Sequence, residues 1–183
     1  MRKYITRLVF TALFAAIISA GAFITLPVGP VPVVLQNMFT LLSGLVTGPA
    51  LGPASVGLFI AAGAVGAPVF ANNGTPAGLA RIVGPTGGYL FGYLFGAFIA
   101  GVIMGFPRQG QKIPVWRIVL AVASGMLAVY VPGLLWLKVY LKTDWIKTLA
   151  AGFFPFILGD ALKGVIAGVI TPRLRRAASG LLL

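Results

Sequence analysis

The sequence predicts an all-α integral membrane protein, a single bundle of six transmembrane helices. Three observations carry that prediction. Hydrophobic residues make up 59% of the chain and charged residues only 9%, whereas soluble domains average about 25% charged. Most of the chain falls into apolar runs near 20 residues, the length that crosses about 30 Å of hydrocarbon. The basic residues gather mainly in the hydrophilic gaps between those runs. Residues 1–183 are read as one membrane domain, leaving no length for a soluble catalytic domain.

The spans follow in order. The first, residues 4–23, comes after the basic start Met1-Arg2-Lys3. A signal peptide also starts that way, but this run is longer than a signal core and has no clear cleavage site, so it is read as a retained span. The second, 34–46, follows the uncharged, proline-rich turn 26–32. The third is 51–65. A long polar connection, 67–85, contains Asn72, Asn73 and Arg81. The fourth span is 86–105. A basic hinge with Arg108 and Lys112 leads to the fifth, 115–137. The sixth is 145–170, followed by Pro172-Arg173-Leu174-Arg175-Arg176.

Orientation follows from the basic residues, which favour the cytoplasmic side. With both termini cytoplasmic, the inner side carries Arg2, Lys3, Arg7, Arg108, Lys112, Arg117, Arg173, Arg175 and Arg176. The outer side carries only Arg81, Lys138, Lys142 and Lys147. The net charge of +12 is thereby assigned to lipid headgroups and topology, and no nucleic-acid partner is expected. Trp116, Trp136 and Trp145 lie near span ends, where an aromatic belt is expected.

Several chemistries are excluded. Without Cys or His, disulfides, thiolate catalysis and most zinc or copper sites are ruled out. Asp144 and Asp160 are the only acids, too few for a paired-carboxylate enzyme or a proton relay. No phosphate-binding G-x-x-x-x-G-K-[ST] loop is present. The chain is therefore expected not to be an enzyme, to need no cofactor, and to depend on an external partner for uphill transport.

The most informative residues are Asp160 and Lys163, placed near the middle of the sixth span. A charge at that depth costs about 2.5–3.5 kcal/mol on insertion scales. Three residues apart, the two share a helix face and can pair. One reading is a neutralised pair that locks the bundle; the other is a ligand site offering a carboxylate acceptor and an ammonium donor. The 67–85 connection reads either as a lid, with Asn72, Asn73 and Arg81 as ligand groups, or as a solvated loop with Arg81 at the headgroups. Gln36 and Asn37 open the second span, where amides either line a cavity or cap the helix. Tyr89 sits at a similar level, as a site or a belt residue. Small residues recur every fourth position at Ala12, Ala16 and Ala20, and at Gly88, Gly92, Gly96 and Ala100. Such stripes let helices approach closely. The second stripe is read as internal packing, the first as packing or a docking face.

Four segments carry a resemblance. Val31-Pro32-Val33-Val34-Leu35-Gln36, the run 63–71, Gly84-Pro85-Thr86-Gly87-Gly88-Tyr89, and Gly159-Asp160-Ala161-Leu162-Lys163 resemble the BioY family, the biotin-specific S components of energy-coupling-factor (ECF) importers. The resemblance spans about residues 11–170 and is weakest over 106–145. It implies an S-component-type bundle in a prokaryotic plasma membrane, with a biotin pocket near the outer face. It implies assembly with a membrane T component and two cytoplasmic ATPases, with Ala12, Ala16 and Ala20 as the docking face. For biotin, Asp160 would accept from the ureido N–H groups while Lys163 or Gln36 donates to its carbonyl. Arg81, Asn72 or Asn73 would take the carboxylate, and Tyr89 or Phe70 the ring. The alternatives are an S component for another vitamin, a stand-alone carrier, or a scaffold without ligand.

Overall fold

The computed structural model describes residues 1–26, 31–71 and 78–182, apart from the side chains of Arg2 and Leu26. Its helices are α1 (Arg2–Ala20), α2 (Gln36–Thr47), α3 (Leu51–Ala64), α4 (Leu79–Ile82), α5 (Gly87–Met104), α6 (Val115–Leu141), α7 (Trp145–Gly152) and α8 (Ile157–Leu182). Two short strands, β1 (Thr25–Leu26) and β2 (Val33–Val34), pair antiparallel. Among the described residues, Lys3–Ala20, Gly87–Met104 and Val115–Leu141 are long and apolar enough to cross a membrane. The pair α7 and α8, bent by 49°, makes a fourth if it is one span. The chain is thus a multi-pass helical membrane protein. The six predicted spans correspond to fewer long helices because α2 and α3, at 12 and 14 residues, rise only about 18 and 21 Å.

A short helix survives in a bilayer when other helices enclose it. From Thr40 to Thr47 every residue of α2 is buried, so α2 is the axis of the bundle. Leu41 and Leu45 of α2 share one core cluster with Met104 and Ala167. Ile18, Phe59, Tyr89, Tyr93 and Val129 form a second cluster. The outside is apolar as well: Phe95 on α5, Leu127 on α6 and Leu162 on α8 are exposed, as expected where lipid replaces water. The stripe on α5 is packing. A Cβ at Gly88, Gly92 or Gly96 would lie 2.5, 2.6 or 2.8 Å from the carbonyl oxygens of Pro132, Val129 and Gly125 on α6. Only glycine permits that approach. Gly48 (φ 88°) and Gly105 (φ 66°) end α2 and α5 in backbone conformations that side chains disfavour.

The sixth predicted span departs most from expectation. The chain breaks after Gly152, because Pro155 disfavours helical backbone at the residue before it and cannot donate a backbone hydrogen bond. Helix α8 then continues through Pro172 to Leu182, past the predicted end at 170. Its tail buries Thr171, Arg175, Ala178, Ser179 and Leu182, one face at helical spacing, despite the polar look of Arg173-Leu174-Arg175-Arg176. Arg175, expected among headgroups, is only 3% exposed. Its Nη1 donates to the Leu45 carbonyl at 2.7 Å, and its Nη2 to those of Met104 and Gly105 at 3.1 and 3.0 Å. These are the last carbonyls of α2 and α5, which a cation satisfies well.

Candidate functional site

A cavity opens at the opposite ends of α2 and α5, where Gln36 and Asn37 begin α2, Thr86 and Tyr89 begin α5, and Phe156 and Asp160 begin α8. Three helix N-termini therefore converge on it, each carrying partial positive charge. Its volume is about 60 Å³, several times the ~10–15 Å³ one water requires. Val31, Val34, Phe70, Leu90, Val129 and Phe156 supply apolar wall. A smaller pocket of about 10 Å³ shares Asn37, Tyr130 and Asp160 with it.

The break before α8 builds the acidic side of this cavity. Asp160 falls in the first turn of α8, just past the bend of the α7–α8 pair, so the helix dipole favours its charge. Asp160 and Lys163 are each 7% exposed and pair at 2.9 Å. The second carboxylate oxygen of Asp160 accepts from the Tyr130 hydroxyl at 2.5 Å. Lys163 Nζ also donates to the Val34 carbonyl at 2.7 Å and to Asn37 Oδ1 at 3.2 Å. An ammonium has three donors, and all three are spent on protein. Those bonds hold Asp160, Asn37 and the β2 backbone in place. Asp160 keeps unused lone pairs, since a carboxylate has about four acceptor sites.

The other expected residues fall around the same space. Gln36 is 3% exposed, and its Nε2 donates to the Val69 carbonyl at 2.9 Å. Tyr89 donates to the Gly152 carbonyl at 2.8 Å, a carbonyl freed by the α7–α8 break. Phe70 stands edge-on to Phe59, ring centres 5.3 Å apart. Arg81, in α4, is buried at 5% exposure and lines the cavity. Among the described residues nothing hydrogen-bonds or ion-pairs with its guanidinium. Burial lowers its pKa from the usual arginine value, but arginine remains charged in proteins. Asn72 and Asn73 lie outside the described residues. Ala12, Ala16 and Ala20 are exposed along α1 while Phe14, Ala15 and Ile18 are buried.

Sequence reasoning missed Tyr130, Tyr93 and Phe156 as lining residues. Tyr130 sits in the apolar run of α6, whose residues carry no local mark of a site. Only the fold brings its ring 5.0 Å from Phe153 and its hydroxyl to Asp160.

Fold and cavity together define a class: a multi-pass helical membrane protein enclosing a small polar site. The BioY family model matches residues 1–180, and the chain belongs to that family. It is 38% identical to the biotin transporter BioY of Thermotoga maritima over 170 residues, 93% of this chain and 96% of that one. It is 40% identical to the probable biotin transporter BioY of Pyrococcus horikoshii over 164 residues, 90% and 93% of the two chains. The fold matches a crystal structure described as the S-component for biotin from an ECF-type ABC transporter. The TM-score is 0.81 and the identity 29%, covering 94% of this chain and 92% of the other.

Proposed function

We propose that this chain is the biotin-capturing S component of an ECF-type importer. The observation that carries the reading is the charge balance of the cavity. Asp160 and Lys163 neutralise each other, while the buried Arg81 has no counter-charge among the described residues. Three helix N-termini add to that positive potential. A monoanion with a neutral hydrogen-bonding head fits, and biotin is one: its carboxylate suits Arg81, a ureido N–H suits Asp160, and its ring system suits Tyr89 and Phe70. Gln36 lies within the same wall, and the Asn73 amide is a further candidate contact for biotin.

The fuller assignment is six spans, counting α2, α3 and the bent α7–α8 pair as one each, in a prokaryotic plasma membrane with both termini cytoplasmic. The outward face of α1 with Ala12, Ala16 and Ala20 docks a T component, and two cytoplasmic ATPases supply the energy. The exposure of those alanines supports that docking, because nothing within the described chain covers them.

Mass spectrometry of small molecules retained by the detergent-purified protein tests the assignment, and biotin is expected. In titration calorimetry, Asp160→Asn and Lys163→Ala are each expected to weaken biotin binding by at least about tenfold, or ~1.4 kcal/mol. Unchanged affinity in both would remove the pair from the site, and a different retained vitamin would reassign the substrate.

A further inference from the structure

We infer that Asn37 reads the ligand's carbonyl, making it the specificity residue that selects a neutral urea edge over a charged guanidinium edge. The inference rests on the biotin assignment and deepens it. Lys163 is spent on Val34, Asn37 and Asp160, so the ligand's carbonyl needs another donor. The Oδ1 of Asn37 accepts two bonds, from Lys163 Nζ at 3.2 Å and from the Met38 backbone N–H at 3.0 Å. Two donors on one side fix which end of the amide is oxygen, and so direct the Nδ2 hydrogens elsewhere. No protein group among the described residues accepts from Nδ2, and Asn37 lines the cavity.

Asp160 and Asn37 share one ammonium through their oxygens, which makes the two side chains neighbours on the cavity wall, a carboxylate acceptor and an amide whose Nδ2 is left to donate. A cyclic urea presents the complementary edge, one N–H beside one C=O. Replacing that C=O by C=NH₂⁺ turns an acceptor into a donor facing the Asn37 amide. A site that leaves a polar group unmatched discriminates strongly against the analogue. Gln36 is placed differently: its amide nitrogen is tied to Val69, away from the shared ammonium.

The test measures biotin and its guanidinium analogue, 2-iminobiotin, on the same detergent-purified full chain, at a pH where the analogue is protonated. Asn37→Ala is expected to weaken biotin by about tenfold, the cost of an unpaired carbonyl, and to cut the preference for biotin over the analogue by a similar factor. Asn37→Asp places an acceptor there and is expected to invert the preference. Because both ligands are read on the same folded fraction, the ratio is independent of a variant's folding yield. If wild type binds biotin while Asn37→Ala keeps both affinity and preference within about twofold, the inference is overturned and the biotin assignment stands. The amide would then serve the neighbouring 10 Å³ pocket. If wild type binds no biotin, the earlier assignment fails instead.

Discussion

Helix α8 buries two cations twelve residues apart, Lys163 and Arg175, and the chain treats them in opposite ways. Lys163 pairs with an acid at 2.9 Å beside a cavity. Arg175 meets no acid among the described residues; backbone carbonyls of Leu45, Met104 and Gly105 surround it, with Gln111 Oε1 at 3.5 Å. The contrast separates a site from a staple. Carbonyls at helix ends need a donor wherever they are buried, so Arg175 has a structural reason to exist. Asp160 and Lys163 satisfy no obligatory backbone need of that size, and apolar residues would often stabilise a core as well as a buried pair. Their placement beside free volume is what gives them a use.

The largest expected effect breaks the pair asymmetrically. Lys163→Ala alone leaves Asp160 charged and buried, which costs about 3–5 kcal/mol when a buried pair loses one partner. The double variant Asp160→Asn, Lys163→Gln removes both charges and should recover most of that stability. It should not recover biotin binding. Unfolding midpoints in detergent, with calorimetry on the same samples, check both halves. A double variant that still bound biotin at wild-type affinity would make the pair a second staple.

Next comes the staple itself. Arg175→Ala orphans the carbonyls of Leu45, Met104 and Gly105 and is expected to cost on the order of 3 kcal/mol, each bond to a charged donor being worth about 1.5–3. Arg175→Lys should restore only part, because a compact ammonium cannot reproduce the planar fork. Biotin affinity of the folded protein should stay within about twofold of wild type. A large affinity loss without a change in unfolding midpoint would erase the distinction between the two ends.

How much of this was legible in the sequence follows the same division. Hydropathy marks α1, α5 and α6 well, because lipid-facing spans must be apolar along their length. It cannot mark the turn at residues 153–156, where Pro155 lies inside an apolar run, nor the burial of Arg175, whose partners are carbonyls that every sequence contains. Asp160 and Lys163 stand out as charges where charge is costly, and the cavity does hold them together. The intramolecular partners of Lys163 were not legible, since Val34 and Asn37 lie 129 and 126 residues away in sequence. Tyr130 was invisible for a related reason: a tyrosine in an apolar helix is unremarkable until a carboxylate is brought to it.

Arg81 is the third buried cation, and it sharpens the comparison because it has neither an acid nor a carbonyl cage among the described residues. If its partner is the ligand's carboxylate, the effect of removing it must depend on the ligand's charge. Arg81→Gln keeps a hydrogen-bonding side chain and removes the charge. It is expected to weaken biotin by about tenfold, in the range of a lost charge-assisted bond, and to leave biotin amide nearly unaffected. An equal loss for acid and amide would mean that Arg81 shapes the wall of the cavity without reading the tail. The tail's charge would then be met by the α2, α5 and α8 N-termini alone, whose partial charges decay within a turn.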